Sequence, residues 1–193
     1  MPKVETFDKA QVLKQATLVF HEKGYNAASM QDLVDATGLN RSSIYNSFGG
    51  KLNLFMTCLK SYKEDNFNKI NERINNADNG LKAIELLLEL YLEDILQDNR
   101  DMGCLLTNCA TEMGNQESVI SKFLDANMTS FIDFLTDLIG KAQEEGIINN
   151  KRTASEYALY MYSSIQGFRT TGILFSKKKD LKILIETILQ TLK

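Results

Sequence analysis

The stretch 28-ASMQDLVDATGLNRSSIYNSFGGK-51 carries two short apolar patterns, Met30/Leu33/Val34 and Leu39/Ile44/Tyr45/Phe48, with Gly38 between them. The spacing predicts two short helices. Ser29 opens the first, with Asp32 three residues on in the acidic position of a capping box. Gly38 ends it, because a residue without Cβ suits a left-handed or tight turn. Asn40 caps the second helix, from Arg41 to about Ser47, and Gly49-Gly50 breaks the chain again. Two helices joined by a short glycine-containing turn match a helix-turn-helix. Helices this short are unstable alone. A further helix predicted over 8–23 completes a small bundle, with Asp8 as N-cap and Gly24 as C-cap. Its residues Val12, Leu13, Ala16, Val19 and Phe20 fall at helical spacing. Phe20, Leu33, Val34, Ile44 and Phe48 then form the expected core.

That arrangement leaves Arg41, Ser42, Ser43, Tyr45, Asn46 and Ser47 on or near an exposed face. Arginine can read guanine edges, asparagine adenine, and serine either a base or a phosphate. Ser29 and the Gly50-Lys51 junction each start a helix, where free backbone N–H groups suit phosphates. Small polar residues would let the second helix lie in a major groove. Such residues also suit any solvated helix, so spacing alone leaves both readings open.

The chain of 193 residues has room for one domain or two small ones, and its single proline, Pro2, leaves long helices unbroken downstream. No apolar run approaches the roughly 18–20 residues of a membrane span, and the N-terminus lacks the apolar segment of a signal peptide. Cys58, Cys104 and Cys109 form neither a disulfide framework nor a zinc pattern, and no cofactor or metal is expected. These features indicate a cytoplasmic protein. The net charge of −3 argues against nonspecific coating of nucleic acid. Residues 1–53 carry +1 and the remainder −4, too slight a contrast to argue DNA binding.

Beyond the glycine pair, helical periodicity predicts further helices over 51–75, 81–96, 104–113 (capped by Asp101), 117–145, 153–175 and 181–192. Asn149-Asn150 punctuates the chain, and no strand alternation or internal repeat is present. The expected fold is all-α with about nine helices. A helix-turn-helix domain is expected over 1–50 and a larger helical domain over 51–193.

The run T-G-L-x-R-S-S-I-Y-x-x-F-x-x-K-x-x-L-F from Thr37 to Phe55 follows F-x-E-K-G-Y (Phe20–Tyr25) and S-M-Q-D-L (Ser29–Leu33). Over residues 8–55 this resembles the N-terminal domain of tetracycline-repressor (TetR) family regulators. It departs at Gly49-Gly50, where members often carry a polar or charged residue. The resemblance implies a homodimeric transcription factor, usually a repressor, that binds a double-stranded DNA operator. Its divergent C-terminal domain would bind a small-molecule effector, and its last two helices would build a four-helix dimer interface. On that expectation Met161, Ile165, Phe168 and Gly172, with Leu181, Ile185, Ile188 and Leu192, face the partner. Gly167 and Gly172 would permit its close approach.

The stretch 103-GCLLTNCATEMG-114 places Cys104, Asn108 and Glu112 four apart, on one helix face. Its G-C-x-x-x-N-x-x-x-E pattern is similar to that of a TetR subset, some of which respond to electrophiles or oxidants through cysteine. With Asp101 as cap, Cys104 falls in the first turn, where the helix dipole favours thiolate. The alternative is that Cys104 is a small buried hydrophobe, and this is preferred, since burial raises a thiol pKa and the nearby Arg100 could be solvated. The effector candidates are Tyr62, Phe67, Tyr91, Cys104, Asn108, Glu112, Phe131, Gln166 and Arg169. They are apolar walls with few polar groups, and each polar one could equally be a cap or surface partner. The competing classes are a helical enzyme and an interaction adaptor. The lone His21 and the lack of a Gly-rich phosphate loop, HExxH or CxxC speak against the first. The Arg41–Lys51 pattern has no use in the second.

Overall fold

A computed structural model describes residues 7–97, 102–174 and 177–193. Among them there are nine helices and no strand: α1 Lys9–Ala27, α2 Met30–Thr37, α3 Arg41–Phe48, α4 Lys51–Ile74, α5 Gly80–Leu96, α6 Leu105–Met113, α7 Ser118–Glu144, α8 Ala154–Leu174 and α9 Lys178–Gln190. The expected cap Asp101, its neighbour Arg100 and the expected helix end Phe175 lie outside the described residues.

The contacts divide the chain into two compact units. One holds the described residues up to Asn66 together with Leu105–Ser121, and the other holds the remainder. In the first unit, α1 starts where the Asp8 carboxylate accepts from the backbone N–H groups of Ala10 and Gln11, at 2.9 and 3.2 Å. Its regular course ends at Gly24 (φ 75°, ψ 173°), and a further turn reaches Ala27. That extra turn carries no periodic signal of its own. Val12, Ala16 and Phe20 form the inward stripe of α1, which packs on α2, and Leu33, Ile44 and Phe48 are buried too, while Val34 is only half-buried. The first half of α4 closes the bundle through Leu54, Phe55, Cys58 and Leu59. The Phe55 ring lies 4.8 Å from that of Phe20 and 5.0 Å from that of Tyr25, centre to centre. α6 packs on α1 in this unit and buries Leu105, Cys109 and Met113. A partner about eighty residues away leaves no trace in local spacing.

In the second unit, α5 buries Ala83, Ile84, Leu87, Leu88, Tyr91, Leu92 and Ile95, and packs on α8 and α9. Leu135, Ile139 and Ala142 of α7 join the same apolar cluster. Full burial of a large aliphatic side chain stabilises by roughly 1.5–3 kcal/mol, which is what holds these otherwise marginal helices. Asn149 ties the cluster's end together. Its amide donates to the Thr191 and Lys193 carbonyls at 3.1 and 3.2 Å, and its carbonyl oxygen accepts from the Tyr157 hydroxyl at 2.6 Å.

The residues expected to face a partner protomer lie in this core instead. Met161, Ile165, Phe168 and Gly172 of α8, with Leu181, Ile185 and Leu192 at α9, are buried within the one chain, and Ile188 is half-buried against the same cluster. Gly172 does permit a close approach, but to Ile95 of α5: a Cβ there would stand 2.5 Å from the Ile95 Cδ1. Gly167 has open space around it. Periodicity finds the most apolar stripe of a helix, and that stripe goes first to the chain's own core. The exposed large hydrophobics of these helices are Leu159, Tyr160 and Leu174 on α8 and Ile183 and Leu184 on α9.

Candidate nucleic-acid interface

The helix-turn-helix is assembled from caps. The Ser29 hydroxyl accepts from the Asp32 N–H at 3.1 Å, and Asp32 Oδ2 accepts from the Ser29 N–H at 2.8 Å, closing the capping box. The other Asp32 oxygen accepts from Lys23 Nζ at 2.7 Å, which fastens α1 to α2. The Lys23 ammonium and the Ser29 donors hold the Asp32 carboxyl well below the usual carboxylate range, and Asp32 in turn raises Lys23. Gly38 turns the chain in the left-handed region (φ 70°), its N–H donating to the Val34 carbonyl at 2.9 Å. Asn40 Oδ1 then accepts from the Ser43 N–H at 2.8 Å and starts α3.

α3 is held by Ile44 and Phe48, which point inward. Its outer face exposes Arg41, Ser42, Tyr45 and Asn46, with Ser43 and Ser47 half-buried. The helix has no acidic residue. Arginine brings forked donors, and asparagine and serine bring both donors and acceptors. Tyr45 is 56% exposed, an unusual state for so large a ring. Its ring edge lies 3.1 Å from where a Cβ on Gly50 would stand, and Gly50 has φ 114°. The glycine that departs from the family pattern therefore makes room for the Tyr45 ring. Lys51, at the start of α4, holds its ammonium 4.5 Å over the Tyr25 ring. Ser29 is exposed at the start of α2.

The effector candidates divide between the units. In the second unit, aromatic rings gather: Phe67 and Phe134 at 6.0 Å, Phe131 and Phe134 at 5.9 Å, Phe131 and Tyr162 at 6.2 Å. Burial pushes the Tyr162 phenol up, opposed by a hydrogen bond with Gln166. The Arg169 guanidinium stands 4.5 Å over the Tyr91 ring. It also opposes the upward shift that burial imposes on Asp94. Phe134 and Tyr162, which are not among the effector candidates read from the sequence, join this group. Their positions on α7 and α8 become neighbours through packing that no short window reveals.

Tyr62, Asn108 and Glu112 belong to the first unit. Tyr62 lies edge-on to His21 at 5.8 Å. Glu112, expected to anchor an effector, has its carboxylate engaged by backbone: Oε2 accepts from the Tyr25 N–H at 2.9 Å and Oε1 from the Asn26 N–H at 2.7 Å. Cys104 is buried and precedes the first residue of α6 rather than sitting within its first turn. Burial also pushes the Cys109 thiol up to about 12, with the Glu112 charge adding, and the Cys58 thiol up to about 11. Among the described residues no group of three or more His, Cys, Asp or Glu could hold a metal ion, and no helix is long and apolar enough to cross a membrane.

Known proteins match both halves of the chain. The model of bacterial regulatory proteins of the tetR family matches residues 12–57, and that of the tetracyclin repressor-like C-terminal domain matches residues 80–188. The HTH-type transcriptional regulator YezE of Bacillus subtilis is 28% identical over 165 residues, 85% of each chain. The HTH-type transcriptional repressor ComR of Escherichia coli is 28% identical over 170 residues, 86% of this chain and 79% of ComR. A cysteine mutant of CifR complexed with 26-base-pair operator DNA has the same fold. Its TM-score is 0.87 over 99% of this chain and 100% of that one, at 20% identity. The reduced form of Escherichia coli NemR gives 0.85 over 95% and 96%, at 14% identity. With one family model on residues 12–57 and the other on more than half of the chain, the protein belongs to the TetR family of transcriptional regulators.

Proposed function

We propose that this regulator is a repressor that binds a palindromic operator as a homodimer and is released by a small-molecule effector. The observation that carries the reading is the outer face of α3, where Arg41, Ser42, Tyr45 and Asn46 stand exposed on a helix anchored by Ile44 and Phe48. Arg41, Ser42 and Asn46 supply base contacts, Tyr45, Ser43 and Ser47 supply groove and backbone contacts, and Ser29 and Lys51 meet phosphates from the two flanking helix starts. The relatives support this role: ComR is a repressor, and CifR has been seen on operator DNA.

Functionally, residues 1–50 read DNA and residues 51–193 dimerise and sense, in the cytoplasm where the DNA is. The partner seats on the exposed apolar side of α8 and α9, through Leu159, Tyr160, Ile183 and Leu184. A two-fold pair presents two α3 helices to successive major grooves, hence the palindrome. The effector is mostly apolar and binds among Phe67, Tyr91, Phe131 and Tyr162, with Gln166 and Arg169 holding a polar group. Catalysis has no part in this role. Footprinting on the DNA flanking the gene tests it: protection of an inverted repeat is expected, lost when Arg41 and Asn46 are both alanine. Uniform cleavage along that DNA at protein concentrations well above micromolar would defeat the reading.

A further inference from the structure

The motif residue that operator reading does not use is Glu112. After the break at Gly24 the helix resumes for one turn, and the first N–H groups of a helical turn have no partner within it. Those of Tyr25 and Asn26 are satisfied by the two carboxylate oxygens of Glu112, at 2.9 and 2.7 Å. Gly24 and Glu112 are matched parts. A Cβ on residue 24 would stand 2.7 Å from Glu112 Oε2, and its φ of 75° is one side chains rarely adopt. Neighbours reinforce the junction. The Asn26 amide donates to Gln116 Oε1 at 3.4 Å and to Met113 Sδ at 3.6 Å, and Gln116 Nε2 donates back to the Glu112 carbonyl at 2.7 Å. Two residues past the clasped turn, Ser29 caps α2, and the Tyr25 ring lies under the Lys51 ammonium. One carboxylate on α6 thus grips the turn that leads into the reading helices.

We infer that Glu112 is a positioning residue for operator binding: by clasping the Tyr25 and Asn26 amides it fixes α6 to the reading unit and sets the pose of α2 and α3. This rests on the operator-binding reading above. Among the described residues α6 is the one complete helix that the first unit takes from the later chain, and the residues flanking its segment, Cys104 and Lys122, belong to the second. A shift of α6 must therefore either break this clasp or carry the Tyr25 turn with it.

The test uses a duplex selected from randomised DNA by the wild-type full-length protein, with Glu112→Ala and Glu112→Gln. The glutamine keeps the shape and one acceptor but turns an N–H donor toward the other amide, so it serves if the alanine variant fails to fold. Amide exchange is followed at Tyr25 and Asn26, with Asn149, whose N–H donates to the Leu192 carbonyl at 2.9 Å in the second unit, as the internal control. The expected result is faster exchange at residues 25 and 26 and an operator affinity about tenfold weaker, the scale of losing charge-assisted hydrogen bonds. The salt slope should stay unchanged, since no phosphate contact is removed. Affinities within twofold of wild type in both variants, or unaltered exchange at residues 25 and 26, would overturn the proposal. If the wild type selects no sequence at all, it is the operator reading that falls.

Discussion

A glutamate placed on either side of α8 and α9 separates the chain's own core from the proposed partner surface. Ile165 is 1% exposed, inside the cluster that joins α5, α7, α8 and α9. Ile165→Glu removes an aliphatic side chain whose loss costs about 2–5 kcal/mol. It also leaves a carboxyl that is either charged without a partner or forced to take up a proton, at several kcal/mol more. Their sum, about 5 kcal/mol or above, is comparable with the whole stability of a domain, roughly 5–15 kcal/mol. Ile183 is 49% exposed. Ile183→Glu should change the stability of the single chain by only about 0.5 kcal/mol. In a two-fold interface, however, it enters twice, and at about 2 kcal/mol per site the dimer weakens roughly a thousandfold. Urea unfolding and sedimentation velocity read the two effects apart. Ile165→Glu should be unfolded or molten, and Ile183→Glu folded and monomeric at micromolar concentration. A folded, monomeric Ile165→Glu beside a dimeric Ile183→Glu would refute the reasoning and return the interface to the buried stripe.

Other substitutions test the reading head and the thiols. Asn46→Ala and Ser42→Ala should each change base preference by ~1–3 kcal/mol at one position, measured by competition between operator variants. Lys51→Ala should instead weaken all duplexes alike and lower the salt slope by about one. Ser29→Ala removes the capping-box hydroxyl and should lower the unfolding free energy by ~1 kcal/mol in urea titrations. Asp32 has its folded-state pKa depressed by Lys23 and Ser29, so its contribution is complete above the ordinary aspartate value and is lost as pH falls through the depressed one. Asp32→Asn should flatten that acid limb of the stability profile, read by unfolding at a series of pH values below 5. With thiols pushed up to about 11 and about 12, Cys58 and Cys109 should resist iodoacetamide at neutral pH in the folded protein and react after denaturation, as mass spectrometry would show.

Local signals carried the helix-turn-helix. In their capping and turn roles Ser29, Asp32, Gly38, Asn40 and Gly49 each act on groups within four residues, so those roles are legible in the sequence alone, whereas the Asp32 bond to Lys23 reaches nine residues back. The α5 stripe is legible for the same reason, since Ile84, Leu87, Leu88 and Tyr91 repeat at helical spacing. What escapes is pairing at long range. The periodicity of α8 and α9 marks an apolar stripe but cannot say whether the same chain or a partner covers it; Ile165 went to the chain's own core and Gly172 to Ile95 of α5. The C-x-x-x-N-x-x-x-E spacing puts Glu112 on a face with Cys104, yet the carboxylate is drawn to two amides exposed by a break at Gly24, eighty-odd residues earlier. The helix-breaking glycine and the distant carboxylate are each visible in the sequence, but nothing in it joins the two.

The central claim is that α3 reads DNA sequence. Selection of duplexes from a random pool by the full-length protein, followed by sequencing, tests it most directly. The expected outcome is an inverted repeat whose half-site centres are about one helical turn apart or a multiple of it, with the preferred base at one symmetric pair of positions relaxed in Asn46→Ala. Retention of DNA without any enriched sequence, or an identical motif from wild type and an Arg41→Ala, Asn46→Ala double variant, would contradict it.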